Sequence, residues 1–208
     1  MRSFLYRQRK LVAFLVILTL WLSLFSIWAD WVTKPPLDEV VTLSPAGAIS
    51  KEIRFVIPEY YQLNLVFERG NIPSEQLQTL LGDGSRKDGE RIPSGIRVPI
   101  RWELREVPDG SIAASGEDDS FGTSSHSEAN VYRQIGGLKV PPGRYLFKAK
   151  ILRDVPELAH IKTRVSMGLF GKASSTWQMS LVWWGGIVNY LLVRALPILL
   201  FLVLLWRA

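Results

Sequence analysis

Cysteine is absent from the 208 residues, which excludes disulfides, thiol nucleophiles, CxxC metal or redox motifs and a lipid carried on an N-terminal cysteine. Histidine occurs only as His126 and His160. No N-x-S/T sequon is present, and neither is HExxH, GxSxG or a P-loop. Each of these gaps closes a recognisable route to metal, acyl-transfer or nucleotide chemistry, and no cofactor is expected.

Acidic residues are missing from both ends. The net charge of +6 is carried there: Arg2, Arg7, Arg9 and Lys10 at the start, Arg194 and Arg207 near the finish. The middle holds 19 basic and 19 acidic side chains and is neutral. The basicity is therefore a membrane-topology signal rather than a nucleic-acid footprint, and nucleic-acid binding is excluded as an expectation.

What the ends contain is apolar. LVAFLVILTLWLSLFSIWA, residues 11–29, has no charge, and residues 181–206 carry Arg194 alone. About 20 apolar residues cross a hydrocarbon core of roughly 30 Å. Positive charge ahead of the first block places residues 1–10 in the cytoplasm. Residues 11–29 and 181–206 then read as two transmembrane helices, 30–180 as a periplasmic domain and 207–208 as a cytoplasmic end. Trp28 and Trp31 follow the first block, Trp177, Trp183 and Trp184 precede the second, and Trp206 closes it, as interfacial indoles do. A cleaved signal peptide is the competing reading, but a cut after Ala29 puts Ile27 at −3, where a small residue is required. A retained anchor in a bacterial inner membrane is expected.

The middle alternates with period two. Ile53, Phe55 and Ile57, then Tyr61, Leu63, Leu65 and Phe67, form one such set. Ile96 to Leu104, Tyr145 to Ile151 and Ile161 to Leu169 continue it, and shorter strands are expected over 39–43, 110–114 and 129–135. Turn signals stand at Pro108-Asp109-Gly110, Gly136-Gly137 and Pro141-Pro142-Gly143. In PSEQLQTLLGDG, a capping Ser74, a Leu77/Leu80/Leu81 stripe and a closing Gly82 predict one short helix. The expected fold is mainly β: an immunoglobulin-like antiparallel β-sandwich with one helical insert, flanked by transmembrane helices. Residues 82–95 and 115–128 read as long polar loops.

The runs IRFVIPEYYQLNLVFERG, GIRVPIRWEL and GGLKVPPGRYLFKAKILRDVPELAHIKTRV resemble an uncharacterised family of small bacterial envelope proteins. The resemblance covers most of residues 40–168. It implies a periplasmic β-sandwich, often lipid-anchored, in some members similar to immunity partners of antibacterial toxins.

Two surfaces are candidates for a partner: Arg97, Arg101 and Arg105 on one strand face, extended by Lys148, Lys150, Lys162 and Arg164 and suited to an acidic protein surface or anionic lipid headgroups, and the acids Glu117, Asp118 and Asp119 in the second loop. Those acids lack EF-hand spacing. His126 lies among serines and acids, but a single polar loop supplies no rigid triad. In the helices, Thr19, Ser23 and Ser26 recur at helical spacing and are expected to form a polar seam with Asn189, Tyr190 and Arg194, with Gly185 and Gly186 allowing close approach. The expectation is a membrane-anchored protein-binding module, not an enzyme, possessing as its sharper form immunity against a toxin. The alternatives are an accessory subunit of an envelope complex and a hydrolase using residues 115–130.

Overall fold

The computed structural model describes residues 9–207 apart from 89, 92, 93, 108 and 171–174. Side chains are described outside 10–12, 86–87, 90–91 and 196–207. The chain divides into a helical unit, residues 1–34 with 174–208, and a β unit, residues 35–173.

The β unit contains β1 (Leu37–Val41), β2 (Ala48–Phe55), β3 (Tyr60–Glu68), α-helical residues Ser74–Leu81, β4 (Arg86–Lys87), β5 (Glu90–Arg91), β6 (Val98–Glu106), β7 (Ile112–Ser120), β8 (Ser125–His126), β9 (Asn130–Lys139), β10 (Gly143–Ile151) and β11 (Thr163–Leu169). One sheet has the order β1-β11-β3-β9-β8 and the other β2-β10-β6-β7, with β4-β5 a separate pair. All pairings are antiparallel.

Period two explains which side chains are inside. Ile53 and Phe55 on β2, Leu63, Leu65 and Phe67 on β3, Ile100 and Leu104 on β6, Phe147 and Ile151 on β10 and Val165 and Met167 on β11 are all buried. Most alternate with outward polar or charged neighbours, Val66 on β3 being a buried exception, so each sheet has one dry face, and the β unit is a β-sandwich.

The strand order corrects the immunoglobulin expectation. β1 pairs with β11, β2 with β10, β3 with β9 and β6 with β7. These are nested pairs: one long hairpin, its tip between β6 and β7, rolled so that successive pairs alternate between sheets. An immunoglobulin domain instead segregates its strands as ABED and CFG. The nested order is that of a jelly roll.

Three local expectations are also corrected. Gly136 and Gly137 lie inside β9 instead of at a turn. A side chain at 136 would stand 2.8 Å from the Trp102 ring, and one at 137 would collide with the Tyr60 hydroxyl. The pair is glycine because two aromatic rings occupy its Cβ positions, and the β3–β9 register slips beside it, between Leu63 and Asn64. The strand expected to end at 114 continues to Ser120, so residues 115–120 are β7 rather than loop. Within 82–95, Asp88 adopts φ 54° between the paired residues Lys87 and Glu90, which makes a hairpin of an expected loop.

Ser74 does not cap its helix; Pro73 occupies the cap position and Ser74 is the first helical residue. Gly82 does close it, at φ 84°, its amide donating to the Gln78 carbonyl. Leu77 and Leu81 are buried.

The base of this helix is pinned by Arg133, an inward-facing position of β9 with no exposure. Its guanidinium donates to the carbonyls of Leu81, of Ile96 at 2.8 Å and of Ser120 at 3.2 Å. It also lies over the Phe67 ring at 5.2 Å. Burial lowers its pKa to about 10, against which the Asp118 charge acts, so it stays cationic at neutral pH. A buried charge is tolerable here because carbonyl oxygens replace its water.

In the helical unit, α1 (Arg9–Thr33) and α2 (Trp177–Arg207) are continuous. Among the described residues, Ala13–Thr33 is long and apolar enough to cross a membrane. Phe14, Ile17, Leu20, Leu24 and Ile27 on it are exposed, so it is not a core helix. The 181–206 segment is helical as expected, although its side chains beyond Ala195 lie outside the described residues.

Candidate functional site

The outer face of β2-β10-β6-β7 forms a trough of about 770 Å³. Strand register builds it row by row. One cross-sheet row is Ser50, Lys148, Glu103 and Ser115; the next is Ala48, Lys150, Arg101 and Glu117. Ile112 and Leu152 add the apolar part of its lining. These are the alternate positions of four strands whose other side chains fill the core, so the core pattern itself fixes what faces the trough.

The two candidate surfaces of the sequence are one surface here. Arg101 donates to Glu117 at 2.7 Å and Arg97 to Asp119 at 2.9 Å. Arg105 grips Glu103 with both Nε and Nη2, at 3.2 and 3.1 Å. Lys148 approaches Glu103 at 3.8 Å. The arginine stripe and the acids therefore largely neutralise each other, which corrects the expectation of an open basic face. Such exposed pairs contribute little stability, about 0–1 kcal/mol each. Their role is to set a charge pattern. The Arg105 hydrogen bonds hold the Glu103 carboxyl below the usual carboxylate range, with Lys148 adding to the effect.

Period two also splits the acid triplet. Glu117 and Asp119 face the arginines, whereas Asp118 lies opposite the buried Ile100 and acts on Arg133. Three acids on successive strand positions cannot converge on one cation. No cluster of metal-ligating side chains occurs among the described residues. Lys162 and Arg164 belong with the other sheet, where they pair with Glu68 and Asp38, so they do not extend this surface.

Lys150 is what sequence reasoning passed over as one lysine among several. Its cross-strand neighbour on β6 is Arg101 and on β2 Ala48, and it makes no ion pair among the described residues. Register was the missing signal, since alternation alone reveals a strand's face but not its opposite number.

Among the described residues no hydrogen bond joins the Ser50 or Ser115 hydroxyl to Lys148 or Glu103. His126 sits on β8, exposed, and among the described residues no hydrogen bond joins it to a serine or an acid. It lines a small hollow of about 60 Å³ with Ser74 and Thr123. His160 is exposed.

On α1 the expected hydroxyl seam is replaced by an aromatic one, with Asn189 of α2 still at the contact. Trp21, Phe25 and Trp28 form a ridge. Trp28 stacks on Trp177 at 6.4 Å, and Trp21 donates to Asn189 at 3.1 Å. Gly185 allows close approach, since a side chain there would strike the Phe25 ring; Gly186 faces open space. Thr19, Ser23 and Ser26 are exposed, about 200° around the helix from the ridge at 100° per residue. Thr19 satisfies its hydroxyl on the Leu15 carbonyl at 2.8 Å. Arg194 does reach back one turn, lying over the Tyr190 ring at 4.4 Å.

Comparison with known sequences settles the family. Residues 36–169 match the DUF5625 model, described as a domain of unknown function. The chain belongs to the DUF5625 family. The match spans nearly all of the β unit, so the matched region of this chain is the rolled sandwich. A protein of Sulfurospirillum deleyianum, known by its crystal structure, is similar in fold with a TM-score of 0.54 and 17% identity, over 67% of this chain and 99% of that one. No curated protein matches the chain.

Proposed function

We propose that this DUF5625 member is a membrane-anchored binding module that presents its sandwich on the periplasmic side of a bacterial inner membrane and captures a protein partner in the trough. The trough carries the reading: an open hollow of about 770 Å³ lined by a charge pattern beside apolar side chains, with no hydrogen-bonded nucleophile–base pair beside it among the described residues. Recognition needs a shaped, patterned surface, and among the described residues no hydrogen bond couples the Ser50 or Ser115 hydroxyl of this one to a base. The exposed apolar helix Ala13–Thr33 supports anchoring, because such a surface is costly in water and at home in lipid. The segment Trp177–Arg207 serves as the second span, returning the chain to the cytoplasm. In its sharper form the module is an immunity protein that neutralises a toxin acting in the periplasm.

Arg194 favours a second reading, an accessory subunit of an envelope complex. It is exposed on its helix, with Tyr190 as its contact, and an intramembrane cation finds stability by meeting an acidic group of a neighbour.

A photocrosslinking residue at Ser115, in the trough, tests the module reading in cells. A covalent adduct with one other protein, missing when the crosslinker stands at Ser166 on the opposite sheet, is the expected result. No adduct at Ser115 refutes it.

A further inference from the structure

We infer that the trough takes an acidic polypeptide segment, laid across the four strands with its carboxylates over Lys150 and Arg101. This rests on the reading of the trough as a protein-binding site.

Charge comes first. Arg101, Lys148 and Lys150 line the trough against Glu103 and Glu117, leaving one cation in excess. The excess is localised. Glu103 is already gripped twice by Arg105, and Glu117 is taken by Arg101. Lys150 has neither, and its opposite number across β6 is another cation. Like charges directly opposite on neighbouring strands destabilise a sheet, so this juxtaposition favours an anion placed between them.

Length comes second. The lining runs from Ala48 and Ser50 on one edge strand to Ser115 and Glu117 on the other. Three strand spacings of about 4.8 Å make roughly 14 Å, the reach of about four extended residues. A single small anion fills only a part of that. Surface character comes third. Trp102 is the one aromatic in the lining, and its ring is buried, so no exposed ring offers a stacking platform for sugars. Ser50 and Ser115 instead flank the cations with hydroxyls suited to a peptide backbone.

The test uses the full chain in detergent micelles and a fluorescein-labelled hexaglutamate peptide, followed by anisotropy, with labelled hexalysine as control. Hexaglutamate is expected to bind at least tenfold more tightly than hexalysine, and less tightly as salt is raised. Lys150→Glu is expected to weaken hexaglutamate at least tenfold. Lys139→Glu, the same charge change on the other sheet, is expected to alter it less than twofold. Equal loss from both substitutions, or no preference over hexalysine, overturns the inference. So does Lys150-dependent binding of polygalacturonate in the absence of hexaglutamate binding, which would assign the trough to an acidic glycan. An adduct at Ser115 in cells alongside failed hexaglutamate binding removes the acidic segment and leaves the binding module standing.

Discussion

Lys150 and Arg101 stand directly opposite each other on β10 and β6, cation against cation, and Arg101 turns to Glu117 at 2.7 Å while Lys150 makes no ion pair among the described residues. The arrangement lowers the stability of the sheet that carries it.

Replacing Lys150 therefore separates stability from binding. Lys150→Glu creates an opposite-charge cross-strand pair and is expected to stabilise the sandwich by about 0.2–1 kcal/mol. A thermal melt followed by near-ultraviolet circular dichroism should show a raised midpoint together with weakened hexaglutamate binding. A lowered midpoint contradicts the electrostatic account of this position.

Arg133 predicts the opposite behaviour. Its guanidinium holds the carbonyls of Leu81, Ile96 and Ser120, three segments that meet at the base of the helix. Arg133→Met keeps most of the volume but leaves those acceptors without their donor, at a cost of about 2–5 kcal/mol. Arg133→Lys should recover only part, because an ammonium cannot fork to three acceptors as a planar guanidinium does. Urea unfolding of the sandwich provides the measurement, with equal stability of all three proteins as the contrary result.

Trp102 is wedged between two glycines from opposite sheets. Cβ atoms at Gly116 and Gly136 would stand 2.9 and 2.8 Å from its ring. Gly136→Ala is expected to cost about 1–3 kcal/mol by overpacking and to shift the indole emission. An alanine accepted without loss of stability would show that the sheets separate more easily than this packing implies.

Much of this was legible in the sequence, and the reasons for the remainder are physical. Period two placed Phe67, Ile100, Phe147 and Val165 inside, because alternation is a direct record of which face is dry. Alternation says nothing about partners, so the jelly-roll order escaped it, as did the opposition of Lys150 and Arg101. The acids at 117–119 looked like loop because polar residues crowd there; they form an edge strand whose outward positions answer Arg101 of β6 and Arg97 just before it. Gly136-Gly137 looked like a turn because the rings that demand glycine come from Trp102 and Tyr60, distant in sequence. Arg133 on an inward position broke the pattern and was the local sign of a buried network.

Alkaline pH should loosen the sandwich through Tyr61. Burial, with the Glu59 charge adding to it, raises this phenol from 10.0 to about 12. The unfolded chain releases the proton first, so the contribution is complete below pH 10 and is lost between about 10 and 12. Tyr61→Phe should flatten that loss in alkaline melts; an unchanged slope would point to another group.

The absence of native cysteine makes the most direct measurement clean. A single Ser115→Cys substitution gives one thiol, in the trough, for a membrane-impermeant maleimide applied to intact cells. The account predicts labelling without lysis, since in the proposed topology the trough opens outside the cytoplasm. Labelling only after the inner membrane is broken would contradict it.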